Sequence, residues 1–408
     1  MPSPFAMPSQ RVTASVLHGA RDLRLQERSL PPPASDEVQV AVQSTGLCGS
    51  DLHYFNHFRN GDIIVREPLT LGHESSGTVV AVGAGVAGGL APGDRVALEV
   101  GLPCETCEFC DQGRYNICRA MRFRSSAKAL PHAQGTLQER VNHPARWCHK
   151  LPNELSLDLG AVIEPLSVAM HARDRANLPV GSTVLVFGAG AVGLLAAAVS
   201  KAANAEAVII ADIQKDRVDF AVANGYADAG FVVPMARPQT IEEKLAYAQE
   251  VADKIKATEV GDKPIGEVSA VYECTGVETC VQSSIYVRTQ LPLRPYSHPG
   301  FLTRPQATKP GGKVMIIGMG TPILTLPMSA AALREVDLIG VFRYANTYKA
   351  AIKLLSNRPA SMPDLSTLVT HRFKGMDRIN DAFSMAGRAT DDEGQLVLKV
   401  VVDMKEAA

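Results

Sequence analysis

At 408 residues with 46% hydrophobic content, the chain exceeds what one hydrophobic core usually serves, so its size implies two globular domains. Its 41 basic and 42 acidic residues leave a net charge of −1, which excludes a basic face for nucleic acid or anionic lipid and leaves a small molecule or another copy of the chain as partner. No apolar run reaches the roughly 20 residues of a membrane helix, the opening "MPSPFAMPSQRVTAS" lacks the apolar core of a secretion signal, and eight cysteines are too few for a disulfide scaffold; no membrane association and a cytoplasmic location are expected.

From about residue 10 to 160 the chain reads as short Val-rich runs broken by Gly and Pro: "EVQVAVQ", "SSGTVVAVGAGV", "GDRVALEV" and "LQERVNH". These predict an irregular, mostly β domain. Within it, "TGLCGSDLHY" places Cys48 ahead of Ser50, Asp51 and His53, and "LGHESSG" sets His73 beside Glu74 in a turn before a strand. Together with Glu164 in "IEPLSVAMH" these offer a thiolate, an imidazole and carboxylates that leave one coordination position open, the ingredients of a catalytic zinc. The run "CETCEFCDQGRYNIC" spaces Cys104, Cys107, Cys110 and Cys118 as C-x2-C-x2-C-x7-C, which predicts a closed, structural four-thiolate zinc. The bacterial ferredoxin spacing, with x3 before its last cysteine, is a poorer match. Cys148, Cys274 and Cys280 read as core residues, and His57, His132, His143, His149, His171 and His371 have no partner legible in the sequence.

Beyond Pro165 apolar strands alternate with helical patterns, the signature of a parallel sheet covered on both faces. "TVLVFG", "AVIIAD" and "AVYECTG" lead into helices expected over 191–205, 215–225 and 278–286, and "KVMIIG" and "LIGVFR" follow as strands. "VLVFGAGAVG" carries G-x-G-x-x-G at Gly188, Gly190 and Gly193, with Ala191 and Val192 opening the helix whose N-terminus receives a pyrophosphate. Asp212, ending the next strand, is placed to accept both ribose hydroxyls and to repel a 2′-phosphate, which favours NAD over NADP; Arg217 either flanks the adenine or faces solvent. Residues 287–306 hold four prolines in 20 residues where connections of about 2–6 are usual. They read either as a functional loop or as a retained in-frame intron. The remaining chain offers a helix, "TYKAAIKLLSN", and a strand, "QLVLKVVVD", able to return to the first domain.

On "GLCGSDLHY", "LGHESSGTV", the four-cysteine lobe, "VIEPLSVAMH", "GAGAVG" and "GVFRYANTY", the chain resembles the zinc-containing medium-chain dehydrogenases, and among them the sorbitol (L-iditol) dehydrogenase family of polyol dehydrogenases. The resemblance implies an α/β protein: a GroES-like, mostly-β catalytic domain (1–164), a Rossmann NAD-binding domain with a doubly wound parallel sheet (165–341) and a C-terminal return to the catalytic domain (342–408). It implies that Cys48, His73 and Glu74 hold the catalytic zinc and Glu164 its water, that Ser50 and His53 relay the proton, and that Tyr54, Arg343 and Tyr344 contact substrate hydroxyls. It also implies a homotetramer. Two other readings stand beside it: a zinc dehydrogenase of threonine or butanediol, and a non-catalytic NAD-binding protein.

Overall fold

The computed structural model describes residues 9–286 and 308–404; the proline-rich stretch 287–306 lies outside the described residues. The chain divides into two compact units, one formed by residues up to 167 with 344–357 and 365 onward, the other by 168–343 with 358–364. The division therefore falls at Ser167, not at the expected 164/165, and 358–364 groups with the second unit, not with the C-terminal return; Tyr226 Oη donates to the Asp364 carbonyl there (3.2 Å). A proline forfeits one helical hydrogen bond and disfavours helix at the residue before it. Yet Pro165, where the change of sequence texture suggests a boundary, lies inside the helix Leu157–Ala176, in which Ala161, Val162, Ile163, Leu166 and Ala169 are buried.

The first unit is built on one sheet. Its central strand, Glu37–Gly46, is mostly buried, Val38, Val40 and Val42 among its core residues, and pairs with three neighbours: Glu74–Val82, Arg140–Pro144 and, antiparallel through Gly46 and Val401, the late strand Lys399–Asp403. Arg95–Leu98 and Cys148–Lys150 extend the sheet on one side and Val369–Lys374 on the other. The hairpin Gln10–Gly19 with Asp22–Leu30, whose polar residues mask its period, was not evident from sequence.

In the second unit six parallel strands run in the order Ala229–Val232, Ala207–Asp212, Thr183–Phe187, Val268–Glu273, Thr308–Ile316, Asp337–Gly340. In chain order this is 3-2-1-4-5-6, the doubly wound arrangement that binds a dinucleotide where the order reverses. The central strands are apolar throughout because both their faces are covered; Leu185, Val186, Ile209 and Ile210 are fully buried. The helices are Ala191–Ala202, Lys215–Ala223 and Glu278–Ile285, the first two ended earlier than expected by the left-handed residues Asn204 and Gly225. The helix Ile241–Lys256, closed at its N-terminus by a Thr240–Glu243 capping box, was missed, although T-x-x-E before an amphipathic run is its sequence signature.

At the sheet's reversal Gly193 packs so closely that a Cβ there would lie 1.7 Å from the Gly188 carbonyl oxygen. Gly193→Ala must push the helix off the strand. It is expected to cost about 1–3 kcal/mol or more, read as a lower melting temperature together with weakened NADH binding by fluorescence titration.

Candidate metal centres and cofactor site

Cys48 is the N-cap of the helix Gly49–His57. Cys48, His73 and Glu74 come together, with one donor atom from each within 4.8 Å of the others. His73 Nδ1 faces Asp51 Oδ1 at 3.2 Å, and Asp51 also accepts from Ser125 Oγ (2.6 Å), Gly72 N (3.2 Å) and Cys48 N (3.3 Å). That carboxylate fixes the proton on Nδ1 and leaves Nε2 as the ligand atom. Burial opposes a charge on Asp51, but His73 with the hydrogen bonds from Ser125 and Gly72 outweighs it and holds its pKa below the usual carboxylate value. His73 shows the converse: burial works against its charge, and Asp51 and Cys48 hold its pKa well above the ordinary imidazole value.

Glu74 is buried, and the glycine at 46 admits it: a Cβ on Gly46 would stand 2.3 Å from Glu74 Oε2. Its charge is met by Lys399, whose Nζ lies 2.9 and 2.7 Å from the two carboxylate oxygens and 3.2 Å from the Leu47 carbonyl. Lys399 was missed from sequence. The signal was there: one lysine inside the apolar run "LVLKVVV" needs a buried acid.

Ser50 Oγ lies 3.5 Å from His73 Nε2, on the metal side of the imidazole. His53 is exposed on the same helix. Glu164 is buried but does not join the Cys48–His73–Glu74 group. Tyr54 is buried, its Oη accepting from Ala127 N (3.3 Å). Tyr344 is buried with its hydroxyl unpartnered among the described residues, and Arg343 sits over the Phe342 ring (4.7 Å) with a left-handed backbone, φ 51°.

The four lobe cysteines form the second cluster. Cys107 and Cys110 Sγ are 3.5 Å apart, as are Cys104 and Cys118, close to the ~3.8 Å edge of a tetrahedron with bonds of about 2.3 Å. Both donor sets fit zinc: four sulfurs make a closed site, whereas one sulfur, one nitrogen and one carboxylate leave a place for substrate.

In the second unit, Gly188, Gly190 and Gly193 line the turn into the helix that starts at Ala191 and Val192. Asp212 Oδ2 accepts from Ala189 N (2.7 Å) and Oδ1 from Gln214 N (2.8 Å), which locks the carboxylate against the glycine turn. The Arg217 guanidinium approaches Gly190, and its buried Nε has no partner among the described residues, an unmet donor of the kind a bound cofactor would satisfy.

Several histidines left open by the sequence have partners. His149 Nε2 meets Glu99 Oε2 (2.7 Å), His143 bridges Arg124 and the Glu99 carbonyl (3.0 Å each), His132 meets Arg66 N (2.9 Å) and the Ala129 carbonyl (2.8 Å), and His371 meets Asp391 (3.2 Å). Burial pushes the Cys148 and Cys280 thiols up to about 12, as befits inert core residues.

A β unit with one closed and one open metal set, joined in one chain to a dinucleotide-binding sheet, defines the class of zinc-dependent medium-chain dehydrogenases. Residues 34–153 match the alcohol dehydrogenase GroES-like domain. The chain is 41% identical to sorbitol dehydrogenase of Gallus gallus over 92% of its length and 93% of that protein's, and 39% identical to that of Homo sapiens over 90% of each. Among solved structures it resembles an Escherichia coli dehydrogenase of unknown specificity, with TM-score 0.78 and 26% identity over 97% of this chain and 100% of that one. The chain belongs to the sorbitol dehydrogenase family of zinc- and NAD-dependent polyol dehydrogenases and is an oxidoreductase acting on CH–OH groups. No helix among the described residues is long and apolar enough to cross a membrane.

Two measurements check the centres. Zinc analysis of Cys48→Ala and of Cys118→Ser should each give one zinc per chain where the parent gives two. In metal-free protein, Lys399→Met leaves Glu74 buried and unpaired and should cost about 3–5 kcal/mol in denaturant melts. The double variant Lys399→Met/Glu74→Gln should lose less than the sum of the two single changes.

Proposed function

We propose that the substrate is a sugar alcohol such as sorbitol, xylitol or L-arabinitol, one secondary hydroxyl of which is reversibly oxidised to the ketose with NAD. The observation that carries this reading is the convergence of Cys48, His73 and Glu74 within 4.8 Å, with Ser50 Oγ 3.5 Å from His73 Nε2. When bound, zinc supplies a Lewis acid that makes the substrate hydroxyl acidic at neutral pH, and NAD supplies the hydride acceptor.

The chain's own residues do the rest. Cys48, His73 and Glu74 would hold the metal, Asp51 fixes the His73 tautomer, and Lys399 pairs with both oxygens of Glu74. Glu164 orients the hydroxyl that stands in the open position. Ser50 Oγ takes the proton from the substrate oxygen, and His53, exposed one turn along the same helix, returns it to solvent. The unpartnered Tyr344 hydroxyl receives a second substrate hydroxyl, with Arg343 and Tyr54 as further polar contacts. In the second unit Gly188, Gly190, Ala191, Val192 and Gly193 give the pyrophosphate its turn and amides, Asp212 takes the adenosine ribose, and Arg217 lies beside it. A cytoplasmic homotetramer is part of the same proposal, supported by the family resemblance.

Initial rates of NADH formation on sorbitol, xylitol, L-arabinitol, threonine, 2,3-butanediol and ethanol test the substrate class. Polyols should lead, and Tyr344→Phe should lower kcat/KM for them about tenfold or more, the usual consequence of leaving polar groups unmatched. Preference for threonine, butanediol or ethanol would overturn the assignment of Arg343 and Tyr344. Sedimentation equilibrium should return four times the chain mass of 43.5 kDa.

A further inference from the structure

We infer that Tyr115 and Asn346 are positioning residues for the polyol: they tether residues 344–348 to the four-cysteine lobe and so set where Tyr344 stands. The inference rests on the substrate role proposed for Tyr344.

The segment needs external support. Two non-glycine residues within four are left-handed, Arg343 with φ 51° and Asn346 with φ 62°. Asparagine tolerates that region and arginine does so poorly, so contacts elsewhere must hold the conformation.

Two hydrogen bonds hold it, and both end in the lobe. Asn346 N donates to Tyr115 Oη (2.6 Å), and Asn346 Nδ2 donates to the Gly113 carbonyl (2.8 Å). Gly113 and Tyr115 lie between Cys110 and Cys118, in the loop that the thiol cluster closes. Tyr115 is itself fixed, its Oη donating to Glu99 Oε1 (2.6 Å), while Glu99 Oε2 accepts from His149 Nε2 (2.7 Å). The chain of contacts then returns to the segment. The His149 ring lies 5.1 Å from that of Tyr348, whose Oη donates to the Leu98 carbonyl (2.9 Å), and the Tyr344 ring lies 5.3 Å from Tyr348. Glu99, His149, Tyr344 and Tyr348 are all buried, where hydrogen-bonded groups are strongly held. Tyr344 is thus braced through its own segment and through Tyr348, and both braces end on Tyr115. None of the residues proposed to touch substrate lies in the lobe, but the lobe fixes one of them.

The chain's single tryptophan reports on this tether, because Trp147 lies against Tyr115 with ring centroids 5.1 Å apart. Two variants separate its parts. Tyr115→Phe removes the acceptor for Asn346 N and the donor to Glu99. Asn346→Gly keeps a residue free to adopt positive φ and removes only the side-chain bond to Gly113. In zinc-replete protein each is expected to raise KM for the polyol about five- to tenfold, with kcat within twofold, KM for NAD unchanged and two zincs retained per chain. Iodide quenching of Trp147 in substrate-free protein should increase in both variants. Unchanged polyol KM with zinc retained would overturn the inference, as would a rise in both KM values together with a lower melting temperature, the mark of general loosening. If the parent enzyme oxidises no polyol, the functional reading fails on its own, and the quenching comparison still decides the tether: unchanged quenching sinks it.

Discussion

The catalytic unit depends on the buried pair of Glu74 and Lys399. Three groups able to carry negative charge, Cys48, Asp51 and Glu74, stand within or against one small site, where His73 faces Asp51 and Lys399 faces Glu74. A buried carboxylate without a partner would bind a proton instead of keeping its charge, and would then be a poor metal ligand. Burial disfavours the charge on Lys399, yet Glu74 and Cys48 together hold its pKa above the ordinary lysine value. The geometry of the sheet places the pair: Gly46 stands opposite both Glu74 and Val401, so the strand 37–46 sets the two flanking strands that carry the carboxylate and the ammonium. A side chain at position 46 would occupy the space that the carboxylate fills.

The two thiolate-bearing centres divide their work by ligand chemistry. Four sulfurs in the lobe satisfy a tetrahedral ion completely, so that site can only shape the chain around it. Replacing sulfurs with one imidazole and one carboxylate opens the other, and Asp51 then becomes necessary, because an imidazole has two nitrogens and only one can face the metal.

Much of this was legible in the residues, and what was not has identifiable physical reasons. The glycine triplet, the acid at 212 and the four cysteines announce themselves because their chemistry depends on short spacing, which sequence displays directly. Cys48 and His73 were readable as partners because few residue types serve zinc, whereas the choice between Glu74 and Glu164 was left open by the residues themselves, and the structure groups Glu74 with them. The partners that support them were not legible: Lys399 lies 325 residues from Glu74, and Glu99, His149 and Tyr115 become neighbours only through strand pairing. The change of texture at Pro165 marks the boundary only approximately, because the helix Leu157–Ala176 carries the chain through it. Asp212 showed a role beyond the one expected of it, since its oxygens accept from the Ala189 and Gln214 amides and so brace the glycine turn.

The separation of Glu74 from Lys399 also bears on how the molecule is made. On a ribosome, Cys48, His73 and Glu74 are made long before the strand Lys399–Asp403 exists, so the buried Glu74 must wait for its lysine, 325 residues further along the chain. Closing so distant a contact is entropically costly and therefore late. The nascent β unit must spend that interval with one place in its sheet unfilled beside strand 37–46, its backbone donors and acceptors open to stray pairing. Insertion of the late strand closes that edge and delivers the lysine in the same event, so protection from aggregation and completion of the metal site arrive together.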